Sequence, residues 1–462
     1  MSLSYTLAPC LRLLAFAALL APTAQAESLL DIYRQAQNND HSFKAAQAAY
    51  AATRENKNLG RAGLLPSINA SASWSDTTTD SDNAFLEQDA VTTSYGVSLE
   101  QSLLDVSAWK NYQQGSRVAK AAQAQLGTAT QSLIIRTATA YFDALEAVDN
   151  YKTAIAEEKA LASQLDQVKQ RYEVGLTAIT EVHEAQAAYD SVLAVRLQAE
   201  GELGIRFDAL EVLTGRPYSQ LAPLREGFKA QEPQPAARES WVETAQANNY
   251  ALKAARFSAE AARFNAQAQK AAHLPTITAS ASYSDSEIDG ESFSANGPVN
   301  TVFERESQEV SISLRLPIFN GGSVSARRRQ AYQEYIEQEE NYKQTKRSIT
   351  QDARARHLSV MTSAATVRAR AQAIVSNQSA LDATQAGYDV GTRDFVDVLN
   401  AQRNLYRAQR DYFTAVYDHV LNELRLQETA GTLDEEDVAA LDRQLQQDAQ
   451  VSRFLNIEGN SD

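Results

Sequence analysis

Histidines, cysteines and glycine-framed lysines are the residues from which catalytic and binding sites are often built, and this sequence places none of them to form one. His41, His183, His273, His357 and His419 are scattered without metal-ligand spacing, and each reads as a surface or interface histidine. His183-Glu184 begins like a zinc-protease helix but lacks the second histidine that such a helix requires. Cys10 is the only cysteine, which leaves no pair for a disulfide or a Cys-based metal site. There is no phosphate-cradling glycine loop with its lysine and no nucleophile elbow. The residues therefore point to no enzyme, no metal and no cofactor, and to no means of hydrolysing ATP.

The elements around these residues are more informative. Arg12 precedes an apolar run, Leu13 to Leu20, followed by Ala24-Gln25-Ala26, so residues 1–26 read as a secretory signal peptide. Cys10 lies ahead of that run and would leave with it. No other stretch supplies the roughly 18 to 20 apolar residues of a spanning helix, so any membrane insertion must use strands. The 462 residues carry a formal charge of −15, or −16 once Arg12 is removed. That acidic balance argues against a nucleic-acid partner, which needs a positive footprint.

The chain repeats itself. Leu65-Pro66-Ser67-Ile68-Asn69-Ala70-Ser71-Ala72-Ser73-Trp74-Ser75-Asp76 returns as Leu274-Pro275-Thr276-Ile277-Thr278-Ala279-Ser280-Ala281-Ser282-Tyr283-Ser284-Asp285, at an offset of 209. Tyr172-Glu173-Val174-Gly175 returns as Tyr388-Asp389-Val390-Gly391, at an offset of 216. Repeats are expected over 27–215 and 236–431, joined by a linker at 216–235 and followed by a polar segment at 432–462. Each repeat reads as helix, strand, polar loop, strand, very long helix, glycine turn, helix.

In the strands Ile68, Ala70, Ala72 and Trp74 share one face while Asn69, Ser71 and Ser73 share the other, Tyr95, Val97 and Leu99 alternate with Ser94, Gly96 and Ser98, and the second repeat gives Ile277, Ala279, Ala281 and Tyr283, then Val310, Ile312, Leu314 and Leu316. The loops Thr77–Asp89 and Ser286–Glu306 read as acidic and polar. Leu126, Leu133, Ala140, Ala147, Ala154, Leu161 and Val168 form a heptad series beside Ile134, Tyr141, Val148 and Ile155, and Val360, Val367, Ile374, Leu381 and Tyr388 repeat it. Such spacing indicates closely packed coiled coils, and about 65 helical residues would reach roughly 100 Å. Four amphipathic strands cannot stand alone in lipid, because an open sheet has unpaired edges. Two copies would make eight strands with a filled interior and three would make twelve with a passage; the residues alone leave both open.

These features resemble the TolC family of outer-membrane efflux ducts over nearly all of the chain beyond residue 26. The resemblance is carried by Ala386-Gly387-Tyr388-Asp389-Val390-Gly391-Thr392-Arg393 with Val396-Asp397-Val398-Leu399-Asn400-Ala401, by Leu316-Pro317-Ile318-Phe319-Asn320-Gly321-Gly322, and by Tyr172 to Val182. It implies an α+β membrane protein: a homotrimer whose twelve-stranded β-barrel, four strands per protomer, continues into an α-helical coiled-coil tunnel. It further implies a duct for efflux of small molecules, type I protein secretion or both. Its partners would be outer-membrane lipid, a periplasmic adaptor and an energised inner-membrane transporter, ABC-type or proton-driven.

By the same resemblance Tyr388, Arg393, Thr180 and Glu181 would clasp the periplasmic entrance, Asp397 and Asn400 would stand at its acidic ring, and Gly175 and Gly391 would lie at the hairpin tips that meet the adaptor. Two positions depart from the family pattern: Glu181 stands where aspartate is usual, and Asn400 where a second acid is usual, which halves the ring charge. Three rival readings remain open on the sequence. They are a periplasmic coiled-coil adaptor, whose hairpin would occur once within β-rich flanks, a passive pore without partners, and a structural helical protein of the envelope.

Overall fold

A computed structural model describes residues 27–79, 88–225, 227–294, 297–446 and 451–452; the signal-peptide expectation for 1–26 lies outside them, as does most of the first polar loop. The first half contains α1 (Leu29–Asn39), α2 (His41–Arg54), α3 (Asn56–Ala62), β1 (Ser67–Thr79), β2 (Gln88–Leu104), α4 (Val106–Glu173) and α5 (Ile179–Thr214). After β3 (Gln220–Leu221) come α6 (Arg238–Asn248), α7 (Tyr250–Ala271), β4 (Thr276–Ser294), β5 (Gly297–Arg315), α8 (Ser323–Asp389) and α9 (Phe395–Ala430), then α10 (Glu435–Asp442) and β6 (Val451–Ser452). The long helices have 68 and 67 residues and the return helices 36 each, so the duplication is one of structure as well as of sequence.

The helix expected before each strand pair is in fact broken, and at equivalent places. Asp40 ends α1 in an extended conformation and then caps α2, its Oδ1 accepting from the Phe43 amide at 2.6 Å. Asn249 does the same between α6 and α7, accepting from the Leu252 amide at 3.0 Å. The two caps are 209 residues apart, the offset of the strands. A short polar side chain that satisfies the free amides of a new helix competes with continuation of the old one.

Two compact units result, and each draws on both repeats. One comprises residues 45–129 and 242–352, the other 1–44, 130–241 and 353–462.

The first unit holds a four-stranded antiparallel sheet in the order β1-β2-β4-β5. Its register aligns Ile68 with Leu99, Leu99 with Ala281, and Ala281 with Val310. One face is therefore continuously apolar and the other lined by small hydroxyls, with Ser73 and Ser94 hydroxyls 2.8 Å apart and Ser280 and Ser311 hydroxyls 2.8 Å apart. Val310, Ile312 and Leu314 are 84%, 72% and 68% exposed, a face that no element covers among the described residues. The segment Ser286–Glu306, expected as a loop, is instead strand on both sides of residues 295–296. Asp285, Glu287 and Asp289 alternate along β4 opposite Glu306, Glu304 and Val302. Carboxylates on the face that was apolar nearer the helices break the hydrophobic period while backbone pairing continues.

In the same unit α3 and α4 meet backbone to backbone. A Cβ at Gly115 would collide with the Asn56 carbonyl, and one at Gly60 would lie 2.8 Å from Tyr112 Cα. Gly115→Ala is therefore expected to lower stability by about 1–3 kcal/mol through overpacking, against a gain of roughly 1 kcal/mol that alanine brings to an open helix position. The sign of the change in melting temperature decides between the two.

The second unit is a helical core. Leu133, Ala147, Ala154, Leu161 and Val168 are buried, as are Ile134, Tyr141 and Val148 beside them, and the repeat-two stripe is buried at Val360 and Val367. Within it the Arg136 guanidinium donates to both oxygens of Asp40 at 2.9 Å. This bond, together with the Phe43 amide, holds the Asp40 carboxyl below its ordinary range against the opposing effect of burial. A folded-state pKa below the unfolded one gives stability that is fully present above the unfolded carboxylate value, about 3.9, and disappears as pH falls through the lowered value. Asp40→Asn should thus cost about 2 kcal/mol at neutral pH, and the gap to wild type should close on acidification, as thermal melts at neutral and acid pH would record.

Two of the five histidines are not at the surface. His419 is fully buried, its Nδ1 2.9 Å from the Ser363 hydroxyl and its Nε2 3.3 Å from Glu423. His357 is 8% exposed, with Nε2 3.1 Å from the Ala236 carbonyl. Ser363 and Ala236, from segments distant in sequence, give each ring one hydrogen-bond partner, whereas His419 Nε2 makes no hydrogen bond among the described residues and has only the Glu423 carboxylate near it on the same helix.

Candidate functional site

Each long helix turns back at a glycine. Gly175 and Gly391 adopt φ of 74° and 76° with open space where a Cβ would be, a left-handed conformation that glycine adopts without steric cost. The two turns are built alike: the Leu176 amide reaches the Arg171 carbonyl at 2.8 Å, and the Thr392 amide reaches the Gly387 carbonyl at 2.8 Å. These are the six-to-one bonds of a helix end closed by glycine. Val174, Leu176 and Val390 at the tips are 70%, 70% and 75% exposed.

Just behind the tips, the ends of both hairpins share one apolar cluster. Leu161, Leu165 and Val168 of α4, Ala185, Ala188 and Val192 of α5, and Phe395 and Leu399 of α9 are buried together, with Tyr388 of α8 packed against them. The Tyr388 hydroxyl donates to Glu181 Oε2 at 2.8 Å. Its ring lies 5.7 Å from that of Phe395 and carries the Arg171 guanidinium 5.0 Å from its centroid. Partial burial first, and then the bond to the Glu181 carboxylate, push the Tyr388 phenol up to about 12. It stays a proton donor at ordinary pH.

The remaining positions fall differently. Arg393 pairs with Asp397 of its own helix end at 3.6 Å, and among the described residues it forms no ion pair with Glu181. Both partners are substantially exposed, and an exposed pair of this spacing contributes a few tenths of a kcal/mol. Thr180 and Asn400 are exposed. Asp397 sits in the first turn of α9, where the helix dipole favours a negative charge. Arg171 and Phe395 complete the contact around Tyr388 and were not singled out from the sequence. Arg171 was visible only as a basic residue in the last turn of a helix.

A link of this kind adds a polar tie to helix ends that otherwise meet through aliphatic and aromatic side chains, and among the described residues it holds no reacting group, metal or cofactor geometry. The family described as outer membrane efflux protein matches residues 32–216 and 241–432. The chain belongs to the outer membrane efflux protein family. Among its relatives in that family, Outer membrane protein TolC of Vibrio cholerae is 37% identical over 419 residues, 91% of this chain and 94% of its own. Alkaline protease secretion protein AprF of Pseudomonas aeruginosa is 32% identical over 433 residues, 92% of this chain and 88% of its own. The Campylobacter jejuni CmeC outer membrane channel superposes with a TM-score of 0.74 at 16% identity, over 91% of this chain and 90% of its own. This efflux-family chain is thus an outer-membrane duct of the efflux and type I secretion kind, with an α+β channel fold to which it brings four strands and long paired helices. Its family is one of transport channels and not of enzymes.

Proposed function

We propose that the mature chain, beginning near Glu27, assembles as a homotrimer. Twelve strands close one barrel, the hairpin tips at Gly175 and Gly391 dock on a periplasmic adaptor, and an ABC-type or proton-driven inner-membrane transporter supplies the energy. The observation that carries this reading is the sheet itself: β1 and β5 are free edges and one face is apolar and uncovered. In lipid such edges must pair with other copies. Eight strands would leave an interior filled by side chains, whereas twelve leave a lumen.

The exposed apolar residues at the tips suit contact with a second helical protein, and the protease-secretion relative makes a protein one cargo class beside small molecules. The entrance is held by Tyr388 and Glu181, with Arg393 and Thr180 near it, and is ringed by three copies of Asp397 and of Asn400. Its opening is a movement of helix ends. Three carboxylates around a narrow lumen concentrate cations.

Outer-membrane extracts should yield a species of about 140–150 kDa for a closed cyclic trimer. In planar bilayers it should give a small cation-selective conductance. Asp397→Ala should lower that selectivity and leave the trimer intact. A monodisperse soluble monomer would overturn the assembly, and unchanged selectivity in the variant would remove Asp397 from the ring.

A further inference from the structure

The helix-proximal rim of the sheet is strongly basic in a chain that is otherwise acidic. Strand ends Ser67, Leu104, Thr276 and Arg315 lie at one end of the sheet, as the pairings Ser67–Glu100, Leu104–Ile277 and Thr276–Arg315 require. In the stretches that lead from these ends into the helices, 57–66, 101–112, 266–275 and 316–330, stand Lys57, Arg61, Lys110, Lys270 and the run Arg327 to Arg329, against a single carboxylate, Asp105. Asp105 is already used, its Oδ1 accepting from the Ala108 amide at the start of α4 at 2.9 Å. Arg327, Arg328 and Arg329 are exposed, and among the described residues no carboxylate pairs with them.

The same rim bares large apolar side chains. Ile318 is 92% exposed and Phe319 85%, between β5 and the arginine run, and Trp109 is 50% exposed in the first turn of α4. Aromatic and aliphatic groups beside cationic heads, bordering an apolar strand face, are the composition of a membrane–water interface. Toward the other end of the sheet the sign reverses, with Asp285, Glu287, Asp289, Glu304 and Glu306 alternating on the outward face. The charge is thus divided between the two ends of the strands and does not simply solvate the whole surface.

We propose that this basic rim binds anionic phospholipid head groups, of the phosphatidylglycerol or cardiolipin class, in the membrane leaflet next to the helices. The inference rests on the outer-membrane duct reading and extends it to a lipid class. Phosphate oxygens would take the free guanidinium donors, which suit them better than a point charge does, while Ile318, Phe319 and Trp109 sit at the head-group level. Cations close to an anionic surface are drawn to it, and the attraction falls with salt.

The test uses the full-length protein in nanodiscs of phosphatidylcholine and phosphatidylglycerol in equal amounts, with the lipid retained after extraction read by native mass spectrometry. Wild type should retain phosphatidylglycerol preferentially at low salt and lose the preference at high salt. Arg327→Gln/Arg328→Gln/Arg329→Gln should lower the preference roughly tenfold. The corresponding triple lysine variant should keep most of it, as should the charge-matched control Arg356→Gln/Arg403→Gln/Arg407→Gln. An unchanged preference in the triple glutamine variant, or an equal loss in the control, overturns the lipid site. If that variant does not assemble, Lys57→Gln/Arg61→Gln carries the same test from α3. Each preparation is also checked for channels in planar bilayers: wild-type protein that forms none overturns the duct reading, whereas conducting protein without lipid preference overturns only this inference.

Discussion

Tyr388→Phe combined with Arg393→Glu is expected to raise the single-channel conductance several-fold by loosening the closed entrance. Removing the hydroxyl deletes the bond to Glu181 at 2.8 Å and keeps the ring against Phe395 and beneath Arg171, so folding should be spared. A hydrogen bond to a charged group contributes about 1.5–3 kcal/mol, and each 1.4 kcal/mol shifts a closed-to-open ratio roughly tenfold. Arg393→Glu acts through a different contact from the one the sequence suggests. Its partner is Asp397, so reversal sets two like charges one helical turn apart and adds to the negative charge at the entrance. Most of the effect should therefore reside in Tyr388→Phe, with Arg393→Lys nearly silent. Planar-bilayer recordings of the two single variants and the double variant separate these contributions. A double variant that assembles normally and conducts like wild type would mean that Tyr388 and Glu181 pack the helix ends without holding them shut.

The second large effect concerns stability. Phe142 is fully buried in α4, its ring edge-on to Tyr141 at 5.5 Å and 5.8 Å from Tyr417. Those neighbours cannot close in on a void, because each is tied at its far end. The Tyr141 hydroxyl donates to the Ala222 carbonyl at 2.6 Å, and the Tyr417 hydroxyl donates to Asp149 at 2.6 Å. Phe142→Ala should accordingly fall in the range of about 3–5 kcal/mol for aromatic truncation in a rigid core, while Phe142→Leu should cost much less. Thermal denaturation followed by circular dichroism gives the comparison, and equal melting temperatures for the alanine and leucine variants would show that the site relaxes freely.

The repeated architecture was legible in the sequence because it rests on periodicity. Seven-residue spacing marked Leu133, Ala147, Leu161 and Val168, all buried, and two-residue alternation separated the apolar and hydroxyl faces of the strands. Where the period was masked the reading failed. Beyond Tyr283 and Tyr95 the outward face of the sheet turns acidic, and alternating carboxylates look like a loop although the backbone stays paired. Asp40 and Asn249 broke helices that composition alone would continue, since a cap depends on one side chain and not on a run. The surroundings of Tyr388 were half visible. Its partner Glu181 lies in the matching turn of the other repeat, but Arg171 and Phe395 reach it through tertiary packing that no local pattern encodes. His419 was misplaced for the same reason, its hydrogen-bond partner Ser363 being 56 residues away.

The hydroxyl face of the sheet has a consequence for traffic. Through Asn69, Ser71, Ser73, Ser94, Ser98, Ser280, Ser282, Ser284, Ser311 and Ser313 the wall of the proposed barrel's bore would be made of short, neutral, hydrated groups, interrupted by few charges such as Glu100, Glu309 and Arg315. A passing molecule finds there no apolar pocket to enter and few ions to pair with, and every contact it makes exchanges one hydrogen bond with water for another of similar strength. Such a surface holds nothing for long. A folded or unfolded chain and a small amphiphile would both slide past it with little drag, and discrimination among cargoes would fall to whatever loads the other end.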